Sequence, residues 1–286
     1  MEQLVLARGV GMSIVGYRCT AALGERPVAE LHTRHSVSLV LKGSFGCHCR
    51  GRFFELISGC VLIGHAGDEY TCTHDHHNGG DECLSFQLEP ALVDELGGDV
   101  AAWRCGALPP DPGLIMLVAV AQAAAQGKAG VNSLEAGLLF IGRFMGLAGG
   151  PALAEQLSTR MSASGRSRVV NAALWIDAHS RDPIDLQDAA REAGLSAYHF
   201  LRLFRRTFGL TPHQYLIRCR LRDAASVLSN EELSITDVAF DVGFGDLSNF
   251  VRTFGRAVGM SPTRFRRLAK GDRKILQASM TPAVLR

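Results

Sequence analysis

The first third of the chain alternates short apolar runs with turn residues. The runs are Val37–Leu41, Phe53–Ile57, Cys60–Ile63 and Cys83–Phe86, and glycine, asparagine and aspartate separate them. Each run is long enough for one strand and each break is long enough for a turn, which is typical of an antiparallel sheet. The pattern therefore predicts a small barrel or sandwich between about Met12 and Glu89.

Helical spacing replaces this pattern after residue 110. Apolar residues recur every three or four positions over Leu114–Ala121 and Leu134–Met145, with a glycine-rich break at Gly127–Gly130. The spacing predicts two amphipathic helices that cover the barrel or pair with a second copy. Small and polar residues at 158–167 indicate a linker, and the chain beyond it is almost wholly helical.

These patterns divide the chain into an N-terminal domain at 1–150, a linker at 151–167, a helical domain at 168–270 and a tail at 271–286. The predicted fold class is α+β, a β-barrel with two following helices and then an all-α domain.

The helical domain contains an internal repeat. Six residues recur 49 positions later: Leu186, Ala189, Ala190, Ala193, Gly194 and Leu195 correspond to Ile235, Val238, Ala239, Val242, Gly243 and Phe244. After one inserted residue the match continues at an offset of 50, from Phe200 with Phe250 to Tyr215 with Phe265. One structural unit therefore occurs twice.

Each unit has the pattern of a helix-turn-helix. An apolar face on a short helix is followed by Gly194, which can leave the helix with positive φ, and by Ser196, which can cap a second helix. In this geometry the second helix lies in the major groove of DNA. The faces that DNA would meet include Tyr198, Leu201, Arg202 and Arg205 in the first unit, and Ser248, Val251 and Arg252, flanked by Asn249, in the second.

The residues between and around the units complete the helical prediction. Pro212 can begin a helix over about 214–229, long enough to hold the two reading helices about one duplex turn, ~34 Å, apart. Trp175, Phe240 and Phe265 are predicted to be core residues.

Charge is distributed unevenly along the chain. The net charge is +2, but from Gly165 onward there are 19 Lys and Arg against 12 Asp and Glu, and the remainder has 11 against 16. A basic C-terminal half indicates a polyanionic partner, because neutralised phosphates release their counterions. Charge by itself does not distinguish DNA from RNA or a membrane surface.

The two segments that begin DLQDAAREAGL and ITDVAFDVGF resemble the DNA-binding domain of the AraC/XylS family, over Val169–Arg267. The resemblance implies a sequence-specific transcription regulator: a cupin-like barrel that binds a small-molecule or metal effector and dimerises, and a domain that binds double-stranded promoter DNA and contacts RNA polymerase. Its base-reading positions carry over to Tyr198, Leu201 and Arg202, and to Ser248, Asn249, Val251 and Arg252. Asp246 departs from the Ser or Glu of many relatives; it would repel phosphate but is favourable as a helix cap.

Histidine and cysteine are concentrated in the N-terminal domain. The effector or metal candidates are His32, His35, His74, His76 and Cys83. Alternation on a strand would place His74 and His76 on one face, and His32 and His35 could complete a metal site at the barrel mouth. The alternative is that they are surface histidines and buried cysteines, since a full cupin metal motif is missing. No other cofactor is expected.

Two rival functions remain open, a metal-dependent cupin enzyme with a DNA-binding tail and a constitutive DNA binder without an effector. We expect no catalysis, because no nucleophile or phosphate-binding motif is found. The N-terminus does not read as a secretion signal and no apolar stretch reaches the ~18 residues that span a bilayer, which predicts a cytoplasmic protein without membrane contact. A homodimer through the helices between Gly113 and Leu147 is expected.

Overall fold

The computed structural model describes residues 1–76, 80–96, 100–148, 163–230, 232–272 and 274–275. Its strands are β1 (Glu2–Arg8), β2 (Met12–Cys19), β3 (Ala29–Leu31), β4 (His35–Cys49), β5 (Arg52–Ile57), β6 (Val61–Gly64), β7 (Glu69–Thr73), β8 (Asp81–Leu88) and β9 (Ala107–Leu108). Its helices are α1 (Pro90–Glu95), α2 (Val100–Trp103), α3 (Pro112–Ala125), α4 (Ser133–Ala148), α5 (Ala163–Ala178), α6 (Leu186–Glu192), α7 (Ala197–Phe208), α8 (Pro212–Asn230), α9 (Ile235–Asp241), α10 (Leu247–Val258) and α11 (Pro262–Ala269). The α+β fold class is confirmed.

The N-terminal strands form an antiparallel sheet organised around β4. The main path runs β1-β2-β8-β4-β6-β9, while β5 and β7 pair with the second half of β4 and β3 pairs with β7. Strand β4 is longer than the predicted run at Val37–Leu41. Gly43, at φ +80°, lets the strand continue past a register shift between Val40 and Lys42, so that one strand joins both parts of the sheet.

The described residues cluster into two compact units. One contains the sheet, in Met1–Pro110, together with the described parts of Ala148–His179 and Ile184–Leu216. The other contains Asp111–Leu147, Ser180–Pro183 and the described residues from Ile217 onward. The first helix-turn-helix pattern, α6 and α7, therefore clusters with the sheet, and the second, α9 and α10, clusters with α3 and α4. The predicted domain boundaries stay a prediction.

Helices α3 and α4 form where the sequence predicts them, but α3 is not amphipathic. Its residues from Gly113 to Ala121 are buried with the exception of half-buried Leu117, because the helix is composed almost entirely of apolar and small residues. Asp111 caps α3 by accepting a hydrogen bond from the Leu114 amide at 3.0 Å, and Arg143 of α4 donates to both oxygens of the same carboxylate. This shared carboxylate links the start of α3 to α4.

The predicted linker is helical at its C-terminal end. Helix α5 begins at Ala163, so residues 163–167 continue into the helix that buries Val169 and Val170. Residues 151–162 of the predicted linker and residues 276–286 of the predicted tail lie outside the described residues. Within the described part of the chain, no helix combines the length and apolar character needed to cross a membrane.

Candidate functional site

The first helix-turn-helix pattern, α6 and α7, is built by caps and one glycine turn. The Asp185 side chain accepts from the amide of Asp188, whose own side chain accepts from the Asp185 amide, and this capping box begins α6. Gly194, at φ +61°, ends the helix, and the Leu195 amide donates to Ala190 at 3.0 Å. Ser196 then caps α7, so the chain needs only a short turn to start the second helix.

The second pattern, α9 and α10, repeats the turn of the first. Gly243 has φ +91°, and the Phe244 amide donates to Ala239 at 3.0 Å, the same distance as at the equivalent bond in the first turn. Asp246 begins α10 by accepting from the Asn249 amide at 2.7 Å. The duplicated unit predicted from the sequence is therefore present, and Asp246 acts as the helix cap that the sequence suggests.

Aromatic side chains fill the inner face of each unit. They are Phe200, Phe204 and Tyr215 in the first unit and Phe250, Phe254 and Phe265 in the second, and all are buried. The Phe204 and Tyr215 ring centroids lie 5.8 Å apart, and those of Phe254 and Phe265 lie 5.6 Å apart. Because the same rings hold α7 and α10 from inside, the opposite faces of these helices are left outward.

The predicted DNA-reading residues lie on those outward faces. In α7, Tyr198 is 76% exposed, Arg202 and Arg205 are exposed and Leu201 is half-buried. With Arg206 and Gly209 these residues line an open depression of about 550 Å³. A duplex could therefore reach three arginines and a tyrosine along one helix.

The corresponding face of α10 is smaller and less basic. Ser248, Val251 and Arg252 are exposed, and Asn249 is half-buried. The Thr253 hydroxyl donates to Asn249 Oδ1 at 3.2 Å, which holds the amide group in one orientation along the helix. An exposed arginine thus stands at the same place in both units, Arg202 and Arg252.

One of the three predicted core aromatics is wrong. Phe265 is buried, and Trp175 is half-buried and stacks on His179, but the Phe240 side chain is 53% exposed. The repeat contained the signal for this, since the residue equivalent to Phe240 in the first unit is Arg191, a solvent-facing side chain.

The five candidates in the sheet do not form one site. His32 stacks on Tyr70 with ring centroids 4.0 Å apart, and burial lowers the pKa of His32 to about 4. His35 lies edge-on to His65 and to Trp103. These histidines are packed against aromatic rings.

The remaining candidates occupy two other places. His74 Nε2 lies 2.9 Å from Asp81 Oδ2, and the Cys83 thiol donates to Asp81 Oδ1. His76 Nε2 lies 3.1 Å from Oε2 of Glu55, a residue only 2% exposed. The expectation that His74 and His76 share a strand face is wrong, because β7 ends at Thr73 and neither histidine lies on a strand.

Comparison with known proteins defines the class of the C-terminal domain. Residues 189–268 match the family model described as "Helix-turn-helix domain". The melibiose operon regulatory protein of Escherichia coli strain K12 is 35% identical over 91 residues, 32% of this chain and 30% of that protein. The transcriptional activator RhaS of Klebsiella pneumoniae strain 342 is 36% identical over 103 residues, 36% of each chain.

A solved transcriptional regulator of AraC type from Chromobacterium violaceum is 23% identical, with a TM-score of 0.36, and the match covers 39% of this chain and 99% of that one. The predicted resemblance is confirmed over the C-terminal segment: it matches the helix-turn-helix model and is similar to the DNA-binding parts of these regulators. The chain spans about a third of the length of these curated relatives.

Proposed function

We propose that the protein is a sequence-specific transcription regulator that binds double-stranded DNA in the cytoplasm through α7 and α10. The observation that carries the proposal is the outward face that occurs twice, with an exposed arginine at the same position of each reading helix, Arg202 and Arg252. Arginine suits this role because its planar fork pairs with the O6 and N7 atoms of guanine.

Charge and exposure support the same proposal. The α7 face presents Arg202, Arg205 and Arg206 to solvent, and we find no ion pair for Arg202 or Arg205 among the described residues. Exposed cations on this face are available to phosphate oxygens as well as to base edges. Tyr198 adds an apolar surface with a polar tip beside them.

The experiment is selection of bound oligonucleotides by the purified full chain, followed by titration of the selected duplex and of a scrambled duplex. We expect Arg202→Ala and Arg252→Ala each to weaken binding to the selected duplex by about 1–3 kcal/mol and to relax the base preference at one position. A full chain that selects no sequence would overturn the proposed function.

Arg191→Ala is the matched control, because Arg191 is an exposed arginine on α6 that pairs with Asp188 and lies off the reading faces. It removes the same charge and should leave the base preference unchanged. If Arg202→Ala weakens the selected and scrambled duplexes equally, Arg202 contacts phosphate and does not read sequence.

We also propose that the sheet responds to an effector and passes the change to α5. Glu55 of β5 is buried against His76, and Arg166 Nε of α5 lies 3.8 Å from the same Glu55 oxygen. The Arg166 guanidinium also lies 4.7 Å from the centre of the Phe53 ring. Residues of one strand thus contact the helix that leads into α6 and α7.

The remaining parts of the proposal follow the resemblance of the C-terminal domain to AraC/XylS regulators. They are a homodimer and a contact with RNA polymerase at the promoter. The proposal assigns no catalytic step to the chain. A ligand of the sheet that changes the affinity for selected DNA would exclude a constitutive binder, and turnover by the metal-loaded chain would favour the cupin enzyme.

A further inference from the structure

Three potential metal ligands meet where β2 ends and β8 begins. Cys19 is the last residue of β2, Asp81 is the first residue of β8, and the two are directly paired in the antiparallel register. His74 follows the end of β7 by one residue. One donor atom from each of these three side chains lies within 4.8 Å of the other two.

Local packing holds the three donors in this arrangement. The Gly24 amide donates to the His74 carbonyl at 3.0 Å, and a Cβ on Gly80 would lie 1.9 Å from the carbonyl oxygen of Cys19. The backbone segments that carry Cys19 and Asp81 are therefore in contact, and no larger residue fits between them. Placement of the donors depends on the fold more than on flexible side chains.

Two of the three donor side chains are almost completely shielded from water. His74 and Asp81 are each 8% exposed, and Cys19 is half-buried and leaves a way in. The buried Asp81 carboxylate is hydrogen-bonded to His74 Nε2 at 2.9 Å and accepts a weak hydrogen bond from the Cys83 thiol, and a bound cation would offset its lost hydration further. The nearest charged neighbours along the strands, Arg18 and Glu82, pair with each other at 3.0 Å on the opposite face of the sheet.

We propose that Cys19, His74 and Asp81 bind a divalent cation of the zinc type. One sulfur, one imidazole nitrogen and one carboxylate oxygen make a mixed donor set that such borderline ions favour. Around a tetrahedral zinc ion, bound at about 2.0–2.3 Å, neighbouring donors lie about 3.3–3.8 Å apart. A bound ion would replace the 2.9 Å hydrogen bond between His74 Nε2 and Asp81 Oδ2, and its fourth position would face the half-buried side of Cys19.

Cys83 has a different role in this site. It lies two residues from Asp81 on the same face of β8, and its thiol donates to Asp81 Oδ1 at 3.7 Å. It is not among the donors that lie within 4.8 Å of one another. Cys83 therefore orients the carboxylate as an outer-shell partner, and its loss should weaken the site without removing the sulfur ligand.

The test uses the reduced, metal-free full chain titrated with zinc in competition with a chromophoric chelator, and with cobalt as a spectroscopic probe. We expect one equivalent of either metal, a sulfur-to-cobalt charge-transfer band and the strong visible absorption of tetrahedral cobalt. A chain that binds no equivalent of zinc, or that binds cobalt without the sulfur band, overturns the proposal.

Single substitutions distinguish the proposed sulfur ligand, Cys19, from the neighbouring thiol, Cys83. Cys19→Ser should abolish the sulfur band, while Cys83→Ser should keep the band and lower the affinity by roughly 10- to 100-fold. Asp81→Asn and His74→Gln should lower the affinity at least as much as Cys83→Ser. Cys105→Ser is the control, because Cys105 is a buried thiol outside the site that donates to the Ala102 carbonyl. This variant should bind zinc like the wild type. Retention of the sulfur band by Cys19→Ser overturns the assignment.

X-ray absorption of the zinc-loaded wild type identifies the donor atoms around the metal. It needs no variant, so misfolding of a variant cannot affect the result. One sulfur among nitrogen and oxygen neighbours supports the site, and a shell without sulfur overturns it. The site does not depend on the proposed DNA binding, and titration of the same samples with selected duplex tells the two apart. A chain that takes up no zinc but binds the selected duplex overturns only the metal site, and a chain that binds zinc but selects no sequence overturns only the proposed function.

Discussion

At the scale of the residue, His32 shows how packing changes a titratable group. Its ring is stacked on Tyr70, and a Cβ on Gly64 would lie 2.4 Å from its Nδ1, so the imidazole fills space that only a glycine leaves free. Burial is the main cause of its lowered pKa, Asp68 opposes the shift and His65 adds to it. His32 is therefore neutral near pH 7.

The lowered pKa of His32 predicts loss of stability in acid. An unfolded chain binds a proton at His32 once the pH falls below 6.5, whereas the folded chain resists protonation until about pH 4. Since the unfolded state takes up the proton first, this contribution is present above pH 6.5 and is lost as the pH falls toward 4. His32→Phe keeps the stacked ring and removes the titration.

Urea denaturation of both proteins near pH 7 and near pH 4 measures the effect. We expect the free energy of unfolding to fall further in the wild type than in His32→Phe. Asp68, His65 and Tyr70 are common to both proteins, so the difference isolates His32. An identical pH dependence would contradict the buried, neutral imidazole.

The features of helices and strands that the sequence predicted well are local ones. The caps, the glycine turns and the aromatic faces of both units depend on residues a few positions apart, and the repeat presented them twice. The site at Cys19 and Asp81 depends on the register between β2 and β8, which joins residues far apart in the sequence. No spacing in the sequence carries that register, so the sequence candidates included His74 but neither Cys19 nor Asp81.

Phe240 was predicted to be a core residue but is exposed. Hydrophobicity by itself suggested a core position, but the helix period places the residue on the solvent face of α9, as it does Arg191 in α6. Burial of α3 was missed for a related reason, because a helix without polar residues has no face from which to infer its surroundings.

The two glycine turns offer a matched test at this scale. A Cβ on Gly194 would meet nothing within 4 Å, whereas a Cβ on Gly243 would lie 2.8 Å from the Arg181 carbonyl oxygen. Both have positive φ, so Gly194→Ala should cost about 1–2 kcal/mol of unfolding free energy. Gly243→Ala should cost more, because the methyl group also displaces backbone.

Denaturant midpoints of the two variants check this difference. Equal losses would show that the segment around Arg181 moves aside without cost. Because neither glycine lies on a reading face, each folded variant should keep the base preference of the wild type.

At the scale of the whole molecule, the proposed dimer needs an exposed apolar surface. Helix α3 cannot supply much of it, since the helix is buried on almost every side. Helix α4 can, because Leu138 is 38% exposed and Leu134 and Met145 are half-buried on the same side. The part of the predicted interface at 113–147 that stays available is therefore α4.

Leu138→Arg places a charge in the middle of that surface and should convert a dimer to a monomer in analytical ultracentrifugation. Leu233→Arg is the control, since Leu233 is 36% exposed and precedes α9. A wild type that sediments as a monomer, or a Leu138→Arg variant that stays dimeric, would contradict an interface at α4.

The different starts of the two reading helices have a kinetic consequence on the proposed DNA. Helix α7 begins with uncharged Ser196 and carries three arginines, whereas α10 begins with anionic Asp246 and carries two, Arg252 and Arg256. Long-range attraction therefore favours α7 during a diffusive encounter. We therefore expect α7 to contact the DNA first, and the slower binding of α10 to determine the dwell time of the protein at each site.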